Sequence, residues 1–251
     1  MIETKSTKNF KTLEEVIPEI DKIGSKIANL KDRVAKDCGI RITSQDARLV
    51  ALDGMHQNIL AFKWWIQIYL MSANNKQDVL KNLGYPITMM GTPLEFEQIE
   101  RILFDLLKFG LIDQIYLKID NLFANVIHGI EPDRKIQNGF EKRQKELRDL
   151  AEVPNADDEE VLLILRNIRN SFHRNGIHIK DTKKIKIGDK NYDFIKGFRI
   201  ECASIVRILV LTSSIIDVLE NILMAPKIKC IKREIKDPFA DQYQDSIEGK
   251  L

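Results

Sequence analysis

The sequence predicts an all-α fold, a helical bundle with one small β-hairpin inserted after its most polar helix. Two observations predict it. Over most of the 251 residues, apolar side chains recur every three or four positions, as they do on one face of a helix. Residues 177–195 instead alternate apolar and polar side chains around the turn-like sequence IGDKNYDF, a pattern typical of a β-hairpin.

Composition and charge fit a folded protein with a sizeable apolar core. Hydrophobic residues make up 44% of the chain, which argues against wholesale disorder. The 39 basic and 37 acidic residues leave a net charge of +2, which excludes a uniformly basic nucleic-acid coat but permits a local basic patch. The three cysteines are odd in number and far apart, so we expect reduced thiols rather than disulfides or a zinc site.

No segment is predicted to enter a membrane. Residues 1–15 lack the apolar core of a secretory signal. The most apolar stretch, residues 205–223, is interrupted by Arg207, Asp217 and Glu220, whereas a spanning helix needs about 20 apolar residues. We therefore expect a buried helix there and a cytoplasmic protein.

The first 90 residues are predicted to form a helical region whose role the sequence does not indicate. Ser44 is a candidate N-cap for a helix that runs to about Ser72. Residues 76–83 make a short helix, and the turn-rich segment GYPITMMGTP ends the region. The first helix, over residues 12–37, places eight apolar side chains on one broad face: Leu13, Val16, Ile17, Ile20, Ile23, Ile27, Leu30 and Val34.

Residues 91–225 are predicted to form a second helical region. Pro93, Glu95 and Glu97 mark the start of a long amphipathic helix that extends to about Ile127, with an expected bend or break at Gly110. The elements that follow are a loop over residues 128–139, a charged helix over about 139–153, a helix over 159–173, the hairpin, and a closing apolar helix over about 199–224. Residues 226–251 are expected to be a basic, then polar, C-terminal tail.

The segment RNIRNSFHRNG, residues 166–176, places polar and cationic side chains at the end of a helix that otherwise looks buried. Helical residues are separated by about 100°, so two stripes form. The apolar stripe contains Val161, Leu165, Ile168 and Phe172. The polar stripe contains Arg166, Arg169, Asn170 and His173. Leu162, Leu163 and Ile164 lie outside the apolar stripe, so the helix is expected to be covered on several sides, with its polar stripe in a cleft or an interface.

These residue types suit the cleavage of RNA without a metal. Arginine offers a planar fork to phosphate oxygens, histidine exchanges a proton near neutral pH, and asparagine fixes a hydroxyl or an imidazole by hydrogen bonding. Residues 174–199 add eight Lys or Arg against three Asp, a net +5 that favours a polyanion. The alternative is structural, because cations suit a helix C-terminus and Asn175-Gly176 is an ordinary helix stop.

The segment RNSFHRNG resembles the signature of the HEPN superfamily, all-α domains common in prokaryotic toxins, antiviral systems and RNA processing. That signature is an arginine, often followed by a polar residue, and a histidine four to six residues further on. Arg166 and His173 fit it with six intervening residues. Arg169 and His173, with three intervening residues, resemble the shorter form RNSxHxNG, so either arginine can be the catalytic one. The likeness covers roughly residues 95–224.

The resemblance implies a metal-independent endoribonuclease without a cofactor, usually a homodimer in which two motifs form one composite site. His173 would be the general base or acid, and Arg166 and Arg169 would hold the scissile phosphate. Asn170, and Asn167 with it, would orient His173 or the substrate. We expect additional contacts to RNA from Arg174, Asn175 and Lys180. The biological setting would be antiviral defence or a toxin, with an antitoxin or another defence protein as partner.

Two other functions stay open. Many HEPN proteins are inactive, so the chain can be a non-catalytic helical module that binds a protein partner or RNA, or a purely structural dimer. His178, in the predicted hairpin, could approach the motif. The sequence contains no P-loop, GxGxxG, HExxH or GxSxG motif, so nucleotide hydrolysis, dinucleotide redox chemistry and triad hydrolysis have no support.

Overall fold

The computed structural model describes residues 6–74, 88–89, 92–93, 96–153 and 156–237. This part of the chain is mostly helical, with two small antiparallel sheets of two strands each. The helices are α1 (Ser6–Cys38), α2 (Ala47–Asn74), α3 (Phe96–Ile130), α4 (Phe140–Ala151), α5 (Ala156–Phe172), α6 (Ile205–Leu223) and α7 (Pro226–Lys229). The strands are β1 (Thr88–Met89), β2 (Thr92–Pro93), β3 (Lys183–Ile187) and β4 (Lys190–Phe194).

Five helices pack in a cyclic order around one hydrophobic core. α1 contacts α2, α2 contacts α3, α3 contacts α5, α5 contacts α6, and α6 returns to α1, while α4 lies against α3. The apolar face predicted for α1 lies in this core, with Ile20 and Val34 fully buried. The described part of the N-terminal region therefore shares its core with the helices that carry the motif.

Helix boundaries differ from the sequence prediction at several points, and the closing helix α6 begins at Ile205 rather than near residue 199. The N-cap of α2 is Asp46, not Ser44: Asp46 Oδ1 accepts from the backbone N–H of Arg48 at 2.9 Å, as an N-cap does. The Ser44 hydroxyl instead accepts from the backbone N–H of Asp46 at 3.3 Å. The predicted break at Gly110 is absent, because α3 runs without interruption from Phe96 to Ile130.

The predicted hairpin is present as β3 and β4, in the register Ile185 opposite Tyr192. Ile185, Tyr192 and Phe194 are buried, and the Tyr192 hydroxyl donates to the backbone carbonyl of Arg207 at 2.7 Å. This bond fixes the hairpin to the start of α6. The turn-rich connection predicted before α3 contains the short pair β1–β2, and the predicted helix over residues 76–83 lies outside the described residues.

Residues 226–237 are not a free tail. Ile228 and Ile235 are buried, and Ile235 packs so closely on Gly129 of α3 that a Cβ there would lie 2.7 Å from its Cδ1 atom. The rest of the predicted tail, residues 238–251, lies outside the described residues. Within those residues, no helix combines the length and the apolar character needed to cross a membrane. The three cysteines are free thiols.

A buried ion pair holds the C-terminal segment in place. Arg48 and Asp46 are both fully buried, and the Arg48 guanidinium donates to both Asp46 carboxylate oxygens at 2.8 Å. Arg48 also donates to the backbone carbonyls of Ile228 and Ile231, at 3.3 and 3.2 Å. The Asp46 carboxylate accepts from the backbone N–H of Ile235 at 2.9 Å. Each buried charge is thus paired and hydrogen-bonded, which is the condition under which burying it is tolerated.

We predict that Arg48→Met lowers the free energy of unfolding by about 3–5 kcal/mol, because it leaves the Asp46 carboxylate buried without its partner. Urea denaturation followed by circular dichroism measures this change. The control is Lys22→Met, which breaks the exposed Lys22–Glu19 pair and is expected to change the free energy by less than about 1 kcal/mol. Equal effects for the two variants would contradict the assigned role of Arg48.

Candidate active site

The motif helix ends where the sequence places its stop signal. α5 ends at Phe172, and Asn175 and Gly176 follow with φ values of 55° and 83°, the left-handed conformation that closes a helix. The backbone N–H of Gly176 donates to the carbonyl of Ser171 at 2.8 Å, which satisfies one of the last carbonyls of the helix. Asn175 therefore has a structural role, and it does not line the cavity described below.

The two predicted stripes of α5 lie as expected. Val161, Leu165 and Ile168 are buried in the core and Phe172 packs against it. The polar stripe faces α3 and α4, and its members meet carboxylates on both helices. Arg166, Arg169 and His173 thus share one side of α5, but Arg166 has a different partner from the other two.

One carboxylate of α3 binds both Arg169 and His173. Asp113 Oδ1 accepts from Arg169 Nε at 2.9 Å and lies 3.1 Å from His173 Nε2. The carboxylate is largely buried, with 20% of the side chain exposed. Burial by itself would raise the pKa of Asp113, but the hydrogen bonds and positive charges of Arg169 and His173 outweigh it and hold the pKa below its ordinary value of 3.8. Asp113 is therefore ionised at neutral pH.

The ionised Asp113 determines which nitrogen of His173 carries the proton. A carboxylate can only accept hydrogen bonds, so Nε2 of His173 must be the N–H that faces it. In the neutral imidazole, Nδ1 is then left with a free lone pair. The side chain of His173 is 43% exposed, and no described residue forms a hydrogen bond with Nδ1. A lone pair on Nδ1 that no described group occupies is what a general base requires.

Aromatic rings of α3 fix the two side chains. Phe109 meets the His173 ring edge-to-face, with centroids 5.0 Å apart. The Arg169 guanidinium lies over the Tyr116 ring, 4.9 Å from its centroid, and Tyr116 in turn stacks on Phe140 of α4 at 4.5 Å. A guanidinium held by a carboxylate and by a ring face has little rotational freedom left to lose on binding an anion.

Arg166 occupies a different environment. Its Nη1 donates to the Glu141 carboxylate of α4, and its side chain is 12% exposed. Arg166 does not line the cavity, and its Nε has no hydrogen-bond partner among the described residues. Of the two arginines that the motif offers, Arg169 is the one beside His173.

A cavity of about 260 Å³ opens at the end of α5. Its walls come from the C-terminal part of α5 and from residues 173–174 and 177–180, and they include these predicted site residues: Asn167, Arg169, Asn170, His173, Arg174 and Lys180. Arg174 and Lys180 are exposed and make no salt bridge to any described residue. The cavity thus joins a fixed imidazole and guanidinium to two free cations, an arrangement suited to an anion.

Three further cavity residues are buried. Ser171 is 1% exposed, and its hydroxyl has no hydrogen-bond partner within the described part of the chain. His178 is 3% exposed, lines the same cavity and donates through Nε2 to the carbonyl of Asp181 at 3.2 Å. His178 therefore does approach the motif. Asn167, also a cavity residue, is 3% exposed.

Asp113 is a residue of the candidate site that the sequence alone does not single out. A signal was present, because α3 carries carboxylates and aromatic rings at helical spacing along one stripe: Asp105, Phe109, Asp113, Tyr116 and Asp120. Each carboxylate meets a cation of another element. Asp105 pairs with Arg199 at 3.6 Å and Asp120 with Arg143 of α4.

No family model, no curated protein and no solved structure matches the chain. The described residues contain no group of three or more His, Cys, Asp or Glu side chains placed to hold a metal ion. The motif and the geometry around it are the features of the chain that bear on its function.

We predict that Asp113→Asn removes a pH-dependent part of the stability. A carboxyl whose pKa is lowered by folding stabilises the native state above its ordinary pKa, and this contribution is lost as the pH falls through the lowered value. The wild type is therefore expected to exceed the variant in unfolding free energy at neutral pH, and the gap is expected to shrink below about pH 4.

Urea denaturation at a series of pH values measures this gap. The control is Asp149→Asn, which removes an exposed carboxylate of α4 and is expected to change the unfolding free energy by less than about 0.5 kcal/mol. A gap between wild type and Asp113→Asn that stays constant across the series would show that the carboxylate charge is not coupled to Arg169 and His173.

Proposed function

We propose that this protein is a metal-independent endoribonuclease of the HEPN type, in which His173 exchanges the protons and Arg169 stabilises the phosphate. One observation carries the proposal: Asp113 holds Arg169 and His173 side by side at the wall of a cavity that also contains the free cations Arg174 and Lys180. Such a group of side chains provides a base, a fixed positive charge and an anion-binding site in one location.

The proposed reaction is transfer of the phosphoryl group to the neighbouring 2′-hydroxyl. His173 Nδ1 takes the proton of the 2′-OH as its oxygen attacks phosphorus, which yields a 2′,3′-cyclic phosphate as the bond to the 5′-oxygen breaks. Arg169, Arg174 and Lys180 offset the charge that develops on the phosphate oxygens. Asp113 acts as a positioning residue, since it stabilises the imidazolium that forms without touching the substrate.

The leaving 5′-oxygen requires a proton. His173 is protonated after the first transfer, and it can supply that proton itself or a second copy of it can do so. The HEPN resemblance favours the second route, with a homodimer whose two motifs meet and whose two imidazoles divide the roles of base and acid. The same resemblance suggests antiviral defence or toxin action as the setting, with an antitoxin or another defence protein as partner.

We predict that the purified protein cleaves RNA in the presence of EDTA and that His173→Ala lowers the rate by about 100-fold or more. The products are expected to end in a 2′,3′-cyclic phosphate, which mass spectrometry identifies. The control is His128→Ala, the same substitution at an exposed histidine of α3, which is expected to cleave at the wild-type rate. Equal cleavage by wild type and His173→Ala, or no cleavage by either, would refute the assignment.

We predict a difference between the two candidate arginines. Arg169→Met removes the guanidinium beside His173 and is expected to lower the cleavage rate by about 100-fold, the usual cost of one stabilising donor. Arg166→Met keeps the buried aliphatic stem and is expected to lower the rate by less than about 10-fold, because Arg166 bonds to Glu141 away from the cavity. Initial cleavage rates of the two variants show which arginine contributes more to cleavage. Melting temperatures serve as a control for folding. The reverse order would make Arg166 the catalytic arginine.

A second candidate function is a non-catalytic module that binds a protein partner. The observation in its favour is a row of exposed, large apolar side chains on α2, with Trp64 70% and Met71 68% exposed. Leu60 and Ile68 fall on the same stripe, at spacings of three and four residues. Apolar surface of this kind is typical of protein interaction sites. The variant His173→Ala distinguishes the two functions. If the protein is a non-catalytic binding module, this variant is expected to stay fully active in cells.

A further inference from the structure

Beyond the chemistry of the cavity, an exposed aromatic ring stands beside the segment that lines it. Phe198 is 66% exposed, which is unusual for a large ring outside the core. It lies in the segment that follows β4, directly before Arg199, whose side chain is 70% exposed. Neither residue belongs to the motif or to the catalytic arrangement described above.

Backbone pairing places Phe198 next to the cavity wall. The backbone N–H of His178 donates to the carbonyl of Phe198 at 3.0 Å, and Ile177 pairs with Arg199 in an antiparallel bridge. His178 and Ile177 both line the cavity. Since paired antiparallel strands lie about 5 Å apart, Phe198 is one strand away from the cavity wall.

Phe198 is held by a rigid turn. Its backbone N–H donates to the carbonyl of Ile195 at 3.1 Å, and Gly197 has a φ of 80°, as the third position of a type II turn requires. The turn is tied down at two further points: Gly197 N–H donates to the His178 carbonyl at 2.7 Å, and Lys196 N–H donates to the Thr182 hydroxyl at 3.1 Å. The backbone that carries the ring is thus fixed before any ligand arrives, which reduces the entropy lost on binding.

The cavity wall and the hairpin that precede Phe198 in the chain are cationic. In residues 174–199, five exposed cations make no salt bridge to any residue in the described part of the chain: Arg174, Lys180, Lys183, Lys184 and Lys186. Lysines are depleted at the centres of protein interfaces. An exposed aromatic ring beside free cations is instead the arrangement with which proteins bind single-stranded nucleic acids, the ring stacking on a base and the cations following the backbone.

We propose that Phe198 is a stacking platform for a base next to the phosphate held in the cavity, so that the substrate is single-stranded RNA. This inference rests on the proposed function for the identity of the phosphate. A base in a duplex is stacked on its neighbours and has no free face to offer, so the platform selects unpaired RNA. Phe198 is a specificity-determining residue, and it takes no part in the proton transfers.

The test measures binding apart from cleavage. A fluorescein-labelled oligonucleotide of about 12 residues, with 2′-deoxy sugars so that it cannot be cleaved, is titrated with protein in EDTA and followed by anisotropy. Phe198→Ala and Phe198→Leu are expected to weaken binding by about 5- to 100-fold, whereas Phe198→Trp retains wild-type affinity, since leucine keeps apolar volume but cannot stack. The control, Trp65→Ala, removes an exposed ring of α2 that lies outside the apolar row described above and is expected to bind as the wild type does.

A second arm identifies stacking directly. One abasic residue is moved along the oligonucleotide, and wild-type affinity is expected to fall at one or two positions. Phe198→Ala should be insensitive to the abasic residue at those positions, because the two changes remove the same contact. Additive losses would overturn the proposal. It would also fall if Phe198→Leu bound like the wild type, or if Phe198→Ala changed the oligomeric state measured by light scattering and left affinity for RNA unchanged.

The inference and the proposed function fail in different ways. If the wild type cleaves RNA and His173→Ala does not, while Phe198→Ala binds and cleaves normally, the platform is refuted and the nuclease stands. If the oligonucleotide binds and the Phe198 variants weaken it, but no RNA is cleaved, the platform stands and the protein is a binding module. Absence of both binding and cleavage refutes the two together.

Discussion

A single carboxylate oxygen, Oδ1 of Asp113, connects the two helices that build the candidate site. It accepts from Arg169 at 2.9 Å and faces His173 at 3.1 Å, across 56 and 60 residues of sequence respectively. This contact fixes the rotation of α5 against α3, the orientation of the imidazole and the nitrogen that keeps a free lone pair. Together with the Phe109 and Tyr116 rings, it restricts Arg169 and His173, which would otherwise be flexible side chains at the end of a helix.

The distribution of charge around α5 follows a simple division. Cations that face α3 and α4 are neutralised by carboxylates: Arg169 by Asp113, and Arg166 by Glu141. Cations beyond the end of α5, such as Arg174 and Lys180, make no salt bridge within the described ranges. The paired cations are therefore positioned but partly neutralised, while the free ones keep their full attraction for an anion. An anion that enters the cavity is attracted by both the paired and the free cations. It can bind to the free cations without breaking the internal ion pairs.

The sequence predicted the helices and the polar stripe well, because periodicity is a local property. The apolar stripe of α5 and the face of α1 that contains Ile20 and Val34 lie as the spacing requires. The hairpin was predictable for the same reason, because the alternation of apolar and polar side chains is also a local pattern. The choice between Arg166 and Arg169 could not be predicted, because it depends on which carboxylate of another helix each arginine contacts.

Long-range pairings account for the other differences. Asp46 caps α2 because the Arg48 guanidinium and the backbone of Ile235 also bind its carboxylate, a combination that local preference for serine does not reveal. The C-terminal segment looked like a tail because its few apolar residues show no period, yet Ile228 and Ile235 are buried. The sequence does not single out Asp113, because the role of an isolated acid in an apolar helix depends on the cations that lie opposite it in the fold.

The most direct test of the central claim is the protonation pattern of the His173 ring, read from its two nitrogens by ¹⁵N NMR. When the ring is neutral, the claim requires the proton on Nε2 and a free lone pair on Nδ1, and Asp113→Asn should disturb that pattern. Addition of an uncleavable oligonucleotide should shift Nδ1 more than Nε2. A neutral ring protonated on Nδ1, or one that responds to neither change, would contradict the account.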